Sequence, residues 1–228
     1  MPSTALITGA SRGLGLALAR TLAERGWRLV IDARGADALE AARRELAHFT
    51  DVTAIPGDVA DDWHRAALVA AAGGRIDALV SNASILGPSP QPALADYPLA
   101  TLEDVVRVNA LAPLALVQAA LPSLPAGARI VNVTSDAAVE AYEGWGGYGS
   151  SKAMLDQLTR VLAVEQPQLH VYAFDPGDMN TALHQEAFPG EDISDRPPPE
   201  DSVPALLELI EGELPSGRYR AAEMAVKA

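Results

Sequence analysis

The sequence predicts an α/β fold, a single domain built on a doubly wound parallel sheet with helices on both faces, and three observations predict it. Short apolar runs alternate with longer segments of helical period, the pattern of repeated strand-helix units. The 228 residues suffice for one well-buried core and are too few for two comfortable domains. Hydrophobic residues make up 49% and charged residues 21%, enough apolar surface to fill packed layers and too much for extensive disorder.

Candidate strands occupy 5–8, 28–33, 52–56, 78–81, 129–134 and 170–174, with a seventh at 218–221. Each is too short and too β-branched or apolar for an independent helix. Helical segments span 14–25, 36–48, 61–72, 102–121, 148–164 and 204–211, with Gly26 as the stop of the first and Pro122 of the fourth. Right-handed crossovers along such a series place the ligand crevice beyond the carboxyl ends of the strands. Two proline-rich stretches, 87–98 and 189–204, read as loops within the domain. The second falls in 182–204, which reads equally as a substrate lid or a solvated surface loop.

Charge narrows the function classes. A net charge of -13 repels nucleic acid phosphates and anionic membrane surfaces, so neither is an expected partner. There is no cysteine, hence no disulfide framework and no thiolate metal site, and His48, His64, His170 and His184 are scattered, so no metal is expected. Met1 leads into an apolar strand without a basic leader, and no apolar run approaches the ~18 residues of a membrane span. A cytoplasmic protein is expected.

Thr8-Gly9-Ala10-Ser11-Arg12-Gly13-Leu14-Gly15 joins the first strand to the first helix. Glycines there let the backbone turn tightly and approach a pyrophosphate, while free N–H groups at the helix start favour negative charge. On a doubly wound sheet this is a Rossmann-like arrangement, although glycine-rich turns also close ordinary strand-helix corners.

Tyr148-Gly149-Ser150-Ser151-Lys152 opens an amphipathic helix, and the i, i+4 spacing puts phenol and ammonium on one face. A free phenol, with pKa ~10, is a poor proton relay near neutrality. A cation nearby stabilises the phenolate, so Lys152 is expected to lower the Tyr148 pKa. An isolated Tyr-x-x-x-Lys reads equally as a plain helix start. Its neighbours supply the chemistry. Ser135 ends a strand and can face the same crevice, where its hydroxyl can bond a substrate oxygen. Asn109 lies inside an apolar helical stretch, where a buried amide needs a reason such as a water-linked relay. Asn82 follows the fourth strand and Pro176-Gly177 the sixth.

This ordered set resembles the short-chain dehydrogenase/reductase family over residues 4 to 181. The resemblance implies that Tyr148 is the general acid or base, Lys152 its pKa modulator and ribose ligand, Ser135 the substrate-oxygen partner and Asn109 the relay anchor. It further implies that Gly9, Ser11, Arg12, Gly13, Leu14 and Gly15 hold the pyrophosphate end and that Asp58 and Val59 flank the adenine. Asn82, Ala83, Pro176, Gly177 and Met179 would line the cofactor, with Thr181 on the nicotinamide carboxamide. Two departures stand out. The family's usual Asn-Asn-Ala-Gly is Ser81-Asn82-Ala83-Ser84 here, replacing a glycine without removing a catalytic group. The segment after the last strand also lacks the family's glycine-rich tail, which bears on tetramer contacts.

NADP(H) is expected over NAD(H). Asp32 is positioned to bond a ribose, but by family register the selecting position is Ala33, and a one-residue shift turns Asp32 to the opposite face. Arg34 and Arg12 can grip a 2'-phosphate. Around the substrate we expect Leu86, Asp136, Tyr142, Trp145, Met179 and Phe188, a largely apolar set suited to a carbonyl or secondary alcohol on a hydrophobic body. Two function classes follow: an oxidoreductase using Asn109, Ser135, Tyr148 and Lys152, or a non-catalytic dinucleotide-binding regulator or redox sensor, which would have little need of all four. The helices 102–121 and 148–164 carry spare apolar surface, and the resemblance implies a homodimer or homotetramer built on them.

Overall fold

The computed structural model describes residues 2–224. Seven strands pair in parallel: β1 (Thr4–Ile7), β2 (Arg28–Ala33), β3 (Val52–Pro56), β4 (Ala78–Ser81), β5 (Arg129–Val133), β6 (His170–Asp175) and β7 (Gly217–Arg220). Their order across the sheet is β3-β2-β1-β4-β5-β6-β7. The chain winds outward from β1 in one direction, then returns to place β4 on its other side. That reversal opens a crevice at the carboxyl ends of β1 and β4.

Continuous apolar strands follow from burial on both faces. One face is covered by α1 (Gly13–Glu24), α2 (Ala36–Leu46) and α8 (Val203–Glu211), which pack Leu18, Leu22, Leu39 and Leu206 against Ile7, Ile31 and Phe174. The opposite face carries α3 (Asp62–Ala71), α5 (Ala112–Ala120) and α6 (Gly146–Glu165), with Leu68, Leu116 and Val117 over Leu6, Leu79 and Ile130. Fully burying one such leucine contributes roughly 1.5–3 kcal/mol.

The expected helix at 102–121 proves longer and irregular. It begins as α4 (Leu99–Val106), widens into a π-helical turn at Arg107–Leu111, continues as α5 and ends in a 3-10 turn at Leu121–Ser123. Pro113 supplies part of the reason, because it removes the N–H that an unbroken α-helix would give the Asn109 carbonyl. By length and composition this 25-residue segment, whose most apolar 18-residue window has a mean hydropathy of 1.5, could cross a membrane, which corrects the expectation that no run approaches that length. Burial inside the protein covers 44% of its most apolar window, where it packs against α3 and α6.

The region 182–204 holds one short helix, α7 (Ala182–Ala187), that periodicity did not reveal. Thr181 caps it by accepting from His184 N. The first proline-rich loop reaches α7 where Ser89 Oγ donates to the Glu186 carbonyl at 2.6 Å, and the second is tied back to the end of the β6 loop where Asn180 N donates to the Pro197 carbonyl at 2.8 Å.

Candidate functional site

A cleft of about 690 Å³ opens along the carboxyl ends of the strands. Its floor begins at the glycine loop. Gly9 adopts φ +67°, a left-handed conformation that glycine reaches without steric cost. Gly15 must also lack a side chain, because a Cβ there would stand 2.5 Å from the Gly9 carbonyl oxygen. Asn82 clips this turn to β4, donating from Nδ2 to the carbonyls of Thr8 at 2.9 Å and Gly9 at 3.1 Å. The Thr8 hydroxyl accepts from the backbone of Asn82 and Ala83. Arg12 precedes the first turn of α1 and makes no side-chain cap there, which leaves that turn's N–H groups without a side-chain acceptor from the cap.

Of the residues expected at a cofactor, Gly9, Ser11, Arg12, Gly13, Leu14, Arg34, Asp58, Val59, Asn82, Ala83, Tyr148, Lys152, Pro176, Gly177, Met179 and Thr181 all line the cleft. Gly15 does not; it is fully committed to helix-turn packing. Asp32 is buried beneath the loop. Its Oδ1 accepts from Gly9 N at 2.7 Å and its Oδ2 lies 2.9 Å from His64 Nε2, so both oxygens are already engaged. His64 is a partner the sequence did not reveal, brought in from α3 across Gly57, where a Cβ would collide with its ring. Among the described residues, neither Arg12 nor Arg34 has an ion-pair partner, and both side chains are exposed at the cleft.

At the other end, Tyr148 and Lys152 are buried one turn apart on α6. Lys152 Nζ donates to the Val133 carbonyl at 2.8 Å and sits 5.5 Å from the centre of the Tyr148 ring. Burial pushes the phenol above its ordinary range; the Ser84 hydroxyl opposes the shift, while the charges of Asp175 and Asp136 add to it. Burial dominates the phenol's environment here, while the Lys152 ammonium is directed at a backbone carbonyl. Burial likewise pushes the Lys152 ammonium down to about 8, against the opposing charge of Asp156.

That shift has a measurable consequence. A lysine whose folded pKa lies below its unfolded value binds fewer protons when folded, over the window between the two. Stability is therefore expected to rise by about 1–2 kcal/mol from about pH 8 to about pH 9.5. Lys152→Met should flatten that slope. Urea unfolding midpoints at the two pH values measure it, and an unaltered slope in the variant would refute the assignment.

Ser135 faces the cleft, yet its Oγ donates to Asp136 Oδ1 at 2.9 Å and accepts from Ala137 N at 3.2 Å. Its position is set from β7. Arg218 Nη2 donates to the Ser135 carbonyl at 3.0 Å and to Asp175 Oδ2 at 3.1 Å, while its Nε donates to Asp156 Oδ2 at 3.0 Å. Asp156 lies one turn beyond Lys152, so one guanidinium ties the serine to the carboxylate that supports the lysine. Asn109 lies behind the cleft wall, not on it. It bonds both backbone groups of Ile85 and the Ser151 hydroxyl, holding the β4 loop against α6.

Only part of the expected substrate set reaches the cleft. Leu86, Trp145 and Met179 line it. Asp136 and Tyr142 are bonded to each other at 2.9 Å, away from the wall, because the Asp136 carboxylate draws the phenol toward itself. Phe188 stands behind Trp145, ring centres 6.1 Å apart, and against His184. Ile85, Val108, Leu183 and Ser84 take up wall positions the sequence did not assign.

The family model for short chain dehydrogenase matches residues 3–192. The chain belongs to the short-chain dehydrogenase/reductase family. Among curated relatives, a 3-oxoacyl-(acyl-carrier-protein) reductase of rhamnolipid biosynthesis from Pseudomonas aeruginosa is 34% identical over 237 residues, covering 98% of this chain and 86% of the relative. A benzil reductase ((S)-benzoin forming) from Saccharomyces cerevisiae is 32% identical over 220 residues, covering 91% and 81%. A short chain dehydrogenase structure from Shigella flexneri complexed with NADP superposes with TM-score 0.85 at 26% identity, covering 96% of this chain and 97% of that one.

As a short-chain dehydrogenase/reductase with relatives named as reductases and dehydrogenases, the protein is an oxidoreductase acting on CH–OH or C=O groups. The non-catalytic regulator finds no support among them. Within the family pattern, the Arg218 ties and the Asp32-His64 pair are what sequence reasoning missed. Acids inside apolar strands were a usable signal, but their partners lie 43 residues away for Asp175 and 32 away for Asp32, with no local pattern to connect them.

Proposed function

We propose that this short-chain dehydrogenase/reductase reduces a ketone or aldehyde on a hydrophobic body, or oxidises the corresponding alcohol, using NADP(H), with Tyr148 as general acid or base. The observation that carries the proposal is the convergence of Tyr148, Lys152 and Ser135 at one end of a cleft whose other end is the glycine loop. A bound nicotinamide supplies or accepts the hydride. Tyr148 gives its phenolic proton to the substrate oxygen in reduction and takes it back in oxidation, Ser135 hydrogen-bonds that oxygen, and Lys152 supplies the positive charge that favours phenolate. Asn109, at its π-turn, anchors the loop that shapes this end.

The residues fit an NADP dinucleotide. The loop offers glycines with positive φ at Gly9 and Gly13, and Arg12 and Arg34 present two exposed guanidiniums, without ion-pair partners among the described residues, to a 2'-phosphate. Asp32, the acid that could have bonded a ribose, already holds Gly9 N and His64. Two similar structures, at TM-scores of 0.85, are complexes with NADP and NADPH, which supports the same preference. Leu86, Trp145, Met179 and Leu183 make the substrate end apolar. Exposed Leu111, Val161 and Val164 on the paired long helices support a homodimer or homotetramer, which light scattering decides; a monomer at all concentrations would reject it.

The direct test is NADPH oxidation over a carbonyl panel that includes benzil, a 3-oxoacyl thioester and simple aryl ketones, with the matching alcohols in reverse. Turnover of apolar carbonyls is expected. No turnover of any panel member in either direction would overturn the substrate class.

A further inference from the structure

Arg218 lies beyond the residues that the family model matches, on the edge strand β7. It stands opposite Ala173 of β6, two residues before Asp175 and on the same face. The short Ala173 side chain lets the guanidinium reach across β6 to the strand ends. There it meets acceptors on three different elements: the Ser135 carbonyl beyond β5 at 3.0 Å, Asp175 Oδ2 at the end of β6 at 3.1 Å, and Asp156 Oδ2 on α6 at 3.0 Å. Both carboxylates are buried, so each needs a cation held in hydrogen-bonding geometry.

Asp175 passes the tie onward. Its Oδ1 accepts from Gly177 N at 3.0 Å, which fixes the Pro176-Gly177 turn on the cleft wall. One guanidinium thus spans from the backbone of Ser135 to the turn beside the nicotinamide end of the cleft, and through Asp156 to the helix that carries Tyr148 and Lys152. Arg220 Nε also lies 3.3 Å from Asp175 Oδ2, but from a half-exposed position. What Arg218 adds is the link from that carboxylate to β5 and α6. A planar guanidinium sends its donors out at fixed angles, whereas an ammonium supplies the charge without the fork. Charge neutralisation alone would not require an arginine here; fixed spacing among three elements does.

We propose that Arg218 is a positioning residue for the reaction, holding Ser135 and the Pro176-Gly177 turn at the spacing that brings the substrate oxygen to Tyr148 and the carbonyl carbon to the nicotinamide. The proposal rests on the oxidoreductase reading, with Ser135 and Tyr148 at the substrate oxygen. Transfer between bound groups responds steeply to spacing, a misplacement of about 1 Å being enough to lower the rate roughly 10²-fold.

Arg218→Lys keeps a positive charge beside both carboxylates, which preserves the fold, and loses the fork. It is expected to lower kcat on the fastest panel substrate by roughly tenfold, with the Kd for NADPH within about threefold of the parent and Tm little changed. With NADPH deuterated at the transferred position, the isotope effect on kcat should exceed the parent's, because misalignment slows the transfer itself. Arg218→Ala should be slower still and should regain rate when methylguanidinium is added, but not methylammonium. In the cofactor-free protein, backbone amide exchange at 134–137 and at Gly177 should quicken in Arg218→Lys, while exchange in β1 and β2 stays at the parent's rate. Either a parent-like kcat and isotope effect, or parent-like exchange at both segments, would overturn the role of Arg218 and leave the reaction reading intact. A parent that turns over no panel compound in either direction would overturn the reaction reading, and this role with it.

Discussion

Tyr148→Phe is expected to lower kcat/KM for carbonyl reduction by about 10²- to 10⁴-fold while NADPH binding stays near the parent value. The substitution removes one oxygen. It leaves the ring in its apolar nest, edge-on to Trp145 at 5.7 Å and packed with Leu86 and Ala137. The fold therefore keeps its contacts, and the loss falls on proton transfer. Lys152 would remain on the Val133 carbonyl with nothing to support. Initial rates with NADPH and the fastest panel substrate measure the effect, alongside a fluorescence titration of NADPH. Rates within a few-fold of the parent would remove Tyr148 from the chemistry.

Replacing both Arg12 and Arg34 by serine is expected to weaken NADPH binding by roughly tenfold for each guanidinium lost, with NADH binding nearly unchanged. Each arginine is exposed, which keeps the loss at the lower end for a charge-assisted bond, and raised salt should shrink the parent's preference. The complement is that Asp32 contributes nothing to discrimination, since its carboxylate is occupied on both oxygens. Dissociation constants of NADPH and NADH for parent and double variant decide the matter. A parent that binds NADH as tightly as NADPH would sink the preference.

Strand and helix segments were legible because parallel strands buried on both faces must be apolar, and short apolar runs separated by helical periods have few other solutions. The seventh strand, expected at 218–221, forms at Gly217–Arg220 and pairs with β6 in register. Boundaries that depend on caps drifted more. The helix that carries Tyr148 and Lys152 starts at Gly146, and α7 went unseen because six residues cannot show a period. The π-turn around Asn109 left a trace in Pro113, but a proline four residues on predicts a missing hydrogen bond without saying how the chain will accommodate it.

For the site, motif residues held to short segments were readable: the glycine loop, Asn82, Ser135, and Tyr148 with Lys152. Spacing of four on a helix, or one turn at a strand end, translates directly into a shared face. Asp136, Tyr142 and Phe188 were misplaced because loop side chains choose their partners by contact, and Asp136 found Tyr142 before it found the cleft.

By itself, then, the amino-acid sequence determined the layered sheet, the switch point that opens the cleft, and the order of chemical groups along its rim, because these follow from periodicity and local backbone demands. Only the tertiary structure decided which of those groups are free. Asp32 is consumed by His64, Ser135 is held by Arg218, Lys152 loses basicity to burial, and the Ser84 hydroxyl is taken up by Asn109. Each outcome depends on side chains distant in sequence meeting where water is excluded, and hydrogen bonds and charges there are settled by proximity in three dimensions.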